Sequence, residues 1–490
     1  MRPTKFGLAA CCLAALLTGC GGGGSSGGGT AAPAPTPAPT VSPSPSPSPT
    51  NAACSLRARQ DWALAQLQEW YLFPNLLDTT VNPAAHGTVQ SYIDALVAPA
   101  RAQNRDRYFT YLTSIAEENA YYEQGATAGF GFRLGFDGSR LLITESFEGG
   151  PALAAGIDRG SEILGIGTDG SNVRSIASIL ASGGTEALVD ALGPDTPGVA
   201  RMLHIRDQAG VVRQVNLAKL TFSLDPVSNR YGAKVLHDGG RRIGYINLRT
   251  FIDTADPHLR SAFFNFKAQG VTELIIDLRY NGGGLISIAE LMGNLMAEGR
   301  GGQVFEYVAF RESKASQNET YTFQVQSESI APTKVAFIGT GSTASASELV
   351  INGFVPYLGS NLALIGTNTY GKPVGQIALD QPGCDDRLRA VALEIQNADR
   401  NGNYYNGLAT TVPVTCTAYD DLRAPLGDPG EAMIRTALDF LAGRSCTPIS
   451  ARTGASAAGA GARAGTPAQP RSLMPEQPRS TIEREMPGAF

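Results

Sequence analysis

Three short stretches of the chain could supply chemistry, and they lie far apart. "GSTASASELV", Gly341–Val350, sets serines among alanines before an acidic residue, directly after the apolar run "KVAFIG". This reads as a strand, a small-residue turn and a helix entered at about Ala346. A serine there meets the free amides and positive dipole end of a helix. Its hydroxyl is a weak nucleophile until a neighbouring base takes the proton. Histidines occur at 86, 204, 237 and 258, none on a loop after a core strand of this region. Lysine is the other base. Lys372 follows "LALIGTNTYG", a strand end with glycine freedom, and desolvation beside apolar neighbours such as Tyr370 would lower its pKa and supply a neutral amine. A third strand end, "IIDLRYNGGGL", offers Asn281-Gly282-Gly283-Gly284, where glycines let backbone amides turn inward as an oxyanion hole.

Serine, base and oxyanion donors meet only if the elements carrying them run side by side. Between 218 and 447 apolar strands alternate with helices: "RRIGYINL", "TELIIDLRY", "TKVAFIG" and "LALIG" are strands, while "ISIAELMGNLMAEG", "ASELVINGFVPY" and "PGEAMIRTALDFLAG" are helices. That alternation predicts a layered α/β domain with a largely parallel sheet, whose ligands gather at the carboxyl ends of the strands. Residues 54–124 read as helical, with Leu56, Leu64, Leu67 and Tyr71 at near-helical spacing in a packing helix stopped by Pro74. Residues 125–217 change to short strands and glycine turns, with "RMLHIRDQAGVVRQVNL" as a hairpin. A small β-rich module fits them.

The chain has 490 residues, 43% hydrophobic and 17% charged, with formal net charge -5. It has room for two or three domains and no basic excess that would suggest a nucleic-acid partner. Residues 1–20, "MRPTKFGLAACCLAALLTGC", follow export-signal logic: basic residues, a short apolar run, then small residues. The ending Leu17-Thr18-Gly19-Cys20 resembles a bacterial lipobox, which implies cleavage before Cys20, lipidation of its thiol and anchoring to a lipid bilayer in the bacterial cell envelope, periplasm-facing or at the surface. Residues 21–53 are Gly/Ser- and then Pro-rich, a tether. Cys54, Cys384, Cys416 and Cys446 then form an even set in an exported chain and are disulfide candidates. Of their three pairings, Cys54 with Cys446, closing the ends of the body, and Cys384 with Cys416 are favoured. No Cys/His spacing suggests zinc or another metal, and no cofactor is implied. Residues 448–490, low in bulky apolar side chains, read as a disordered tail.

Other motifs match only in part. "GIGTDG", Gly165–Gly170, satisfies a dinucleotide fingerprint, but a hairpin follows where a long helix and parallel return strand belong. "GTNTYGKP", Gly366–Pro373, satisfies a phosphate-loop pattern with proline where Ser or Thr would meet magnesium, and "VGQIAL" after it reads as strand. "NADRNGNYYNGL" offers Asn397, Asp399, Asn401 and Gly402 at calcium-loop spacing, with Leu408 at the position of the bidentate glutamate. It reads as a polar turn.

The order "DLRYNGGG", "GSTASASE", "GTNTYGKPVGQ" resembles the carboxyl-terminal processing, or tail-specific, serine protease family across most of residues 55–447. "RDRYFTYL", Arg105–Leu112, is similar to the segment before that family's PDZ domain, "AGFGF" with "EGGPALAAGIDRG" resembles the PDZ module itself, and "YYNGLATTVPV" resembles its late strand region. The resemblance implies a layered protease core of ClpP/crotonase-like type over 218–447, an inserted PDZ domain over 125–217 and an N-terminal helical region. It implies Ser345 as nucleophile, Lys372 as general base, Gln376 orienting the lysine, and the amides of Ala346 and Gly284 as oxyanion donors. Glu348 becomes a helix-start residue supporting the site. Gly129-Phe130-Gly131-Phe132 would bind a terminal carboxylate through backbone amides. The implied partners are protein or peptide substrates with free C-terminal tails, cleaved by a serine endopeptidase. Two positions depart from the pattern: Ser161 stands where the PDZ module has Asp, and Pro373 where a glycine follows the lysine. They motivate the alternative of an inactive binding or scaffold lipoprotein of the same fold.

Overall fold

Strand alternation decides the architecture. Leu274 and Ile276 in the strand Glu273–Asp277, with Val335 and Phe337 in Lys334–Gly339 and Leu364 in Leu362–Gly366, join one buried cluster. The intervening Ile275, Ala336, Ile338, Ala363 and Ile365 join another. Side chains of a strand face opposite sides in turn, so this sheet is buried on both faces. The helices Ala255–Ala268, Ile286–Leu295 and Ala346–Leu358 supply Phe263, Met292 and Phe354 to the first face, and Ala432–Leu441 supplies Met433 and Ile434 to the second. Each such buried side chain contributes about 1.5–3 kcal/mol relative to exposure.

The computed structural model describes residues 52–450, 469–475 and 477–490. The expected signal segment, with Cys20, lies outside them. Among the described residues the main sheet runs in the order Ala233–Asp238, Arg241–Asn247, Glu273–Asp277, Lys334–Gly339, Leu362–Gly366, Val414–Thr417. All neighbours are parallel except the first pair. A second sheet pairs Tyr111–Ser114, from the N-terminal region, with Asp386–Gln396, which also pairs Val304–Phe310 and Val374–Gln381. The N-terminal region is otherwise helical, with helices at Leu56–Trp70, Val89–Leu96 and Ile115–Gln124.

The small β-rich module has its own antiparallel sheet, running Phe132–Phe136, Leu141–Ser146, Glu162–Gly167, Ala200–Arg206, Val212–Ala218, and its own core, including Phe130, Leu134, Ile163 and Leu203. The last two strands form the hairpin anticipated around "DQAG". The strand carrying "GIGTDG" leads into a turn and a two-residue return strand, Arg174–Ser175, which pairs antiparallel to it.

Two expectations are corrected. The disulfides join Cys54 to Cys384 and Cys416 to Cys446, with Cα separations of 5.4 Å in each, not Cys54 to Cys446 and Cys384 to Cys416. The first helix lies on the second sheet, where Arg59 pairs with Asp386 at 2.5 Å, and this carries Cys54 to the turn before Asp386–Gln396. Cys446 follows the closing helix and lies beside the outer parallel strand, where Thr417 N donates to Thr447 O at 2.7 Å. Docking of elements, not closure of the chain ends, set the pairing.

The second correction concerns the tail. Residues 469–475 and 477–490 are ordered against the body: Arg471–Ser472 pairs with the edge strand Phe132–Phe136, and Thr481–Glu485 is a short helix. Low apolar content argues against a core of the tail's own. It does not prevent Leu473, Ile482, Met486 and Phe490 from filling pockets that the two domains already provide.

Candidate active site

The strands Glu273–Asp277, Lys334–Gly339 and Leu362–Gly366 are neighbours running the same way. The glycine triplet, the serine turn and the lysine loop therefore leave the sheet at one edge. The serine turn is stitched to the strand ends on both sides. Thr343 Oγ1 donates to Leu278 O at 2.7 Å, Ala344 N to Asn281 O at 3.1 Å, and Tyr370 N to Thr343 O at 2.9 Å.

Ser345 begins the helix Ala346–Leu358 with φ 55° and ψ −119°. A non-glycine residue in this region stores about 1–3 kcal/mol and persists only where its surroundings over-determine it. Glu348 supplies that constraint. Fully buried, it accepts from Ser345 N at 3.1 Å and Lys372 N at 2.7 Å through Oε2. Through Oε1 it accepts from Thr369 Oγ1 at 2.6 Å and Gly371 N at 2.7 Å. One carboxylate thus fastens the serine turn to the lysine loop. Burial raises its pKa, and these four donors oppose the rise.

Lys372 Nζ donates to Gln376 Oε1 at 2.9 Å and lies 5.1 Å from the centre of the Phe109 ring. Gln376 is held in turn by Phe109, whose carbonyl oxygen accepts from Nε2. Burial lowers the Lys372 pKa below the ordinary lysine value of 10.5; the Glu485 carboxylate pulls it upward, Arg484 downward. Among the described residues Nζ donates to Gln376 and not to Ser345. The backbone of the lysine loop is clamped from outside by Arg107, which donates to Tyr370 O at 3.0 Å and stacks 4.2 Å from the Tyr370 ring centre. The proline after Lys372 leaves this arrangement intact, its carbonyl accepting from Ile395 N at 3.1 Å.

Of the glycine triplet, Gly283 is nearest the serine. A Cβ on it would lie 2.7 Å from Ser345 Cβ and 3.3 Å from Ala346 N, and its φ is 126°. Gly284 lies instead against the Phe251 backbone. The Gly283 amide donates to Asn281 Oδ1 at 2.9 Å and the Gly282 amide to Glu485 O at 2.9 Å. The Ala346 amide opens the first helical turn, where amides lack intrahelical acceptors.

The stretch Gly129–Phe132 is also occupied from within the chain. Gly131 N and Phe132 N donate to Phe490 O at 3.0 and 3.4 Å, and Phe490 N donates to Phe132 O at 3.0 Å. The phosphate-loop and calcium-loop patterns are not completed. After Lys372 the chain enters the strand Val374–Gln381 rather than a phosphate-loop helix. Asn397 Oδ1 accepts from Asp399 N and Asn401 N at 3.1 and 3.0 Å, a polar turn. The roles of Phe109 and Arg107, and the double grip of Glu348, are not visible in the sequence. The nearest signal is "RDRYFTYL", whose position before the small module names no partner for it.

Comparison with known proteins agrees with this arrangement. Residues 242–405 match the model for peptidase family S41. The chain is 27% identical over 268 residues to the chloroplastic C-terminal processing peptidase of Tetradesmus obliquus, covering 52% of this chain and 53% of that protein. It is 26% identical over 309 residues to the carboxy-terminal processing protease CtpA of Bacillus subtilis (strain 168), covering 61% of this chain and 57% of that one. The chain spans about half the length of the curated relatives it matches. Among solved structures, one described as an S41 protease of Bacteroides fragilis NCTC 9343 superimposes with a TM-score of 0.59 at 23% identity, covering 78% of this chain and 97% of that one, a likeness of fold. The strand order, the strained serine turn and the sequence matches converge on one likeness: residues 242–405 match peptidase family S41, and the curated proteins to which the chain is similar are carboxyl-terminal-processing proteases.

Proposed function

We propose that this chain is a serine endopeptidase in which Ser345 is the nucleophile and Lys372 the general base. The observation that carries the reading is the buried Glu348, which fastens a strained Ser345 to the loop of a desolvated lysine. Gln376 accepts one hydrogen of the Lys372 amine and leaves the nitrogen lone pair for the serine. As Ser345 Oγ bonds to the carbonyl carbon of a peptide, its proton passes to Lys372. The oxygen of that carbonyl takes up the negative charge, which amides at the helix start and the glycine strand end stabilise. The ammonium of Lys372 then protonates the leaving amine as the C–N bond breaks. Water, giving a proton to the same amine, bonds to the acyl carbon, and the bond from that carbon to Ser345 Oγ breaks as the ammonium returns the proton to Oγ.

In the same reading the small module is a PDZ domain. A substrate tail lies along Phe132–Phe136 as an added strand, its end held by the amides of Gly129–Phe132. Ser161 and Arg159 lie beside that strand's neighbour, where Ser161 O accepts from Ile143 N at 2.8 Å and Arg159 donates to Thr144 O at 2.7 Å. Substrates are exported proteins with accessible C-terminal tails, and the chain is held at the cell envelope through a lipid on Cys20.

Cleavage of an unfolded protein by the purified chain, with Ser345→Ala and Lys372→Ala alongside, tests the assignment. Wild type alone should cleave, and a fluorophosphonate should label Ser345. Failure of both in wild type, with tail peptides still bound, would make the chain a tail-binding protein of the same fold.

A further inference from the structure

The peptide site just assigned is filled by the chain itself. Arg471 and Ser472 pair with Phe136 and Gly135, and Leu473 N donates to Leu134 O at 2.9 Å. The segment then leaves the strand, crosses the active site and returns. Leu134 N donates to Gly488 O at 2.8 Å, Ala489 bridges to Arg133, and Phe490 closes on the amides of Gly131 and Phe132. A Cβ on Gly129 would lie 2.7 Å from the Phe490 carbonyl carbon. Both stretches use the edge of Phe132–Phe136 that an added strand would need.

Between those two grips the segment covers the chemistry. Glu485 O accepts from Gly282 N at 2.9 Å, so the chain lies directly on the glycine strand end. Met474, Arg484 and Glu485 share one cavity with Lys372, Ala344 and Phe109. Arg484 donates to Tyr108 O at 3.0 Å and stacks 3.7 Å from the Tyr111 ring centre. Ile482 and Met486 are buried against Tyr121, Phe147 and Ile252, and Tyr122 donates to Glu485 Oε1 at 3.1 Å. The fully buried Arg133 donates to Pro487 O at 2.6 Å.

The conformation distinguishes an occupant from a substrate. A cleavable peptide must reach the serine extended, whereas Thr481–Glu485 is helical, with its own capping interactions from Ser480 and Glu483. Apolar anchors on both sides of this helix hold it in place. A ligand tethered to its own site has an effective concentration on the order of millimolar, so a competing tail sees only the fraction of molecules from which the segment has departed.

We propose that residues 469–475 and 477–490 are a built-in occupant of the peptide groove and active site, and that a substrate tail gains entry by displacing them. The inference rests on the peptide-site reading above. Its chemistry also defines the competitor: a tail with a large apolar residue for the Phe490 pocket and, three residues before it, a carbonyl for Arg133.

The test uses the full chain and a variant with Ile482→Asp and Phe490→Asp, changes confined to the docked segment. A fluorescent peptide with the sequence of residues 479–490 is titrated into each in a Ser345→Ala background. Fluorophosphonate labelling of Ser345 is timed in each with Ser345 intact. The double variant should bind the peptide about tenfold or more tightly and label about tenfold or more quickly, with added peptide slowing the label again. Equal affinity and equal labelling would overturn the proposal while leaving the protease reading standing. Tighter binding with equal labelling would overturn the occlusion of the serine. Tighter binding with no labelling of either chain would support occupancy of the groove and overturn the protease reading instead.

Discussion

At the scale of single residues, the site turns on which groups surround one amine and one carboxylate. In the proposed mechanism Lys372 is a base only when neutral, so activity should rise with pH as it loses its proton and level off above its pKa. Burial lowers that pKa, which places the levelling below the ordinary lysine range, although Glu485 and Asp106 pull upward against it. The initial rate of peptide cleavage against pH checks this. Lys372→Arg should be inactive at every pH, since a guanidinium does not deprotonate in proteins. Glu348→Gln places an amide group where backbone amides also donate. A loss of about 1–3 kcal/mol in stability is expected from the buried polar mismatch. Displacement of the lysine loop should lower kcat about a hundredfold with little change in KM. Steady-state kinetics beside urea unfolding would separate the two effects.

At the scale of elements, three parallel strands ending side by side replace a long-range problem with a local one. Each loop need only turn inward from its own strand, and Gly283 is where two of them come closest. Its φ is 126°, and a methyl carbon placed there would come within 2.7 Å of Ser345 Cβ, which leaves no room for a side chain. Gly283→Ala should therefore abolish labelling of Ser345 and cost about 1–3 kcal/mol through backbone strain. Thermal unfolding and probe labelling read the two consequences independently. Gly282→Ala should behave differently. A Cβ there would meet Arg484 O at 2.5 Å and Glu485 O at 2.9 Å, so it should loosen the docked segment before it disturbs the serine.

At the scale of the whole molecule, the loop after the N-terminal helices, the small module and the C-terminal segment all reach the strand ends of the parallel sheet. Phe109 and Arg107 reach the lysine loop from one side, and the docked segment covers it from the other. The Cys54–Cys384 bond ties the first helix to the sheet that carries Gln376 across a sequence separation of 330. Replacing both cysteines by serine should lower stability by about 2–5 kcal/mol while leaving the peptide-cleavage rate at 25 °C within about twofold, because neither cysteine approaches Lys372. Differential scanning calorimetry with parallel rate measurements would show whether the bond supports the fold alone.

Ser345, Lys372 and the glycine triplet stood out as candidates because each follows a strand end with its own local signature, an apolar run and then small or glycine-rich residues; Gln376, inside the strand Val374–Gln381, has no such signature and came from the family resemblance alone. The parallel sheet was legible for a similar reason, since alternating apolar strands and helices leave few ways to bury both faces. What escaped was decided through space. The grip of Glu348 on two loops, the carbonyl of Phe109 behind Gln376, and the partners of Cys54 and Cys446 depend on which distant segments dock together. The C-terminal segment makes the point most sharply. Its composition, poor in large apolar residues, could describe only what it would do alone. Its few apolar residues became sufficient because the tertiary structure already held pockets of matching shape, an unpaired strand edge and free amides to receive it. Sequence by itself determined the candidate catalytic groups and the sheet that brings them together; only the tertiary structure decided what lies over them.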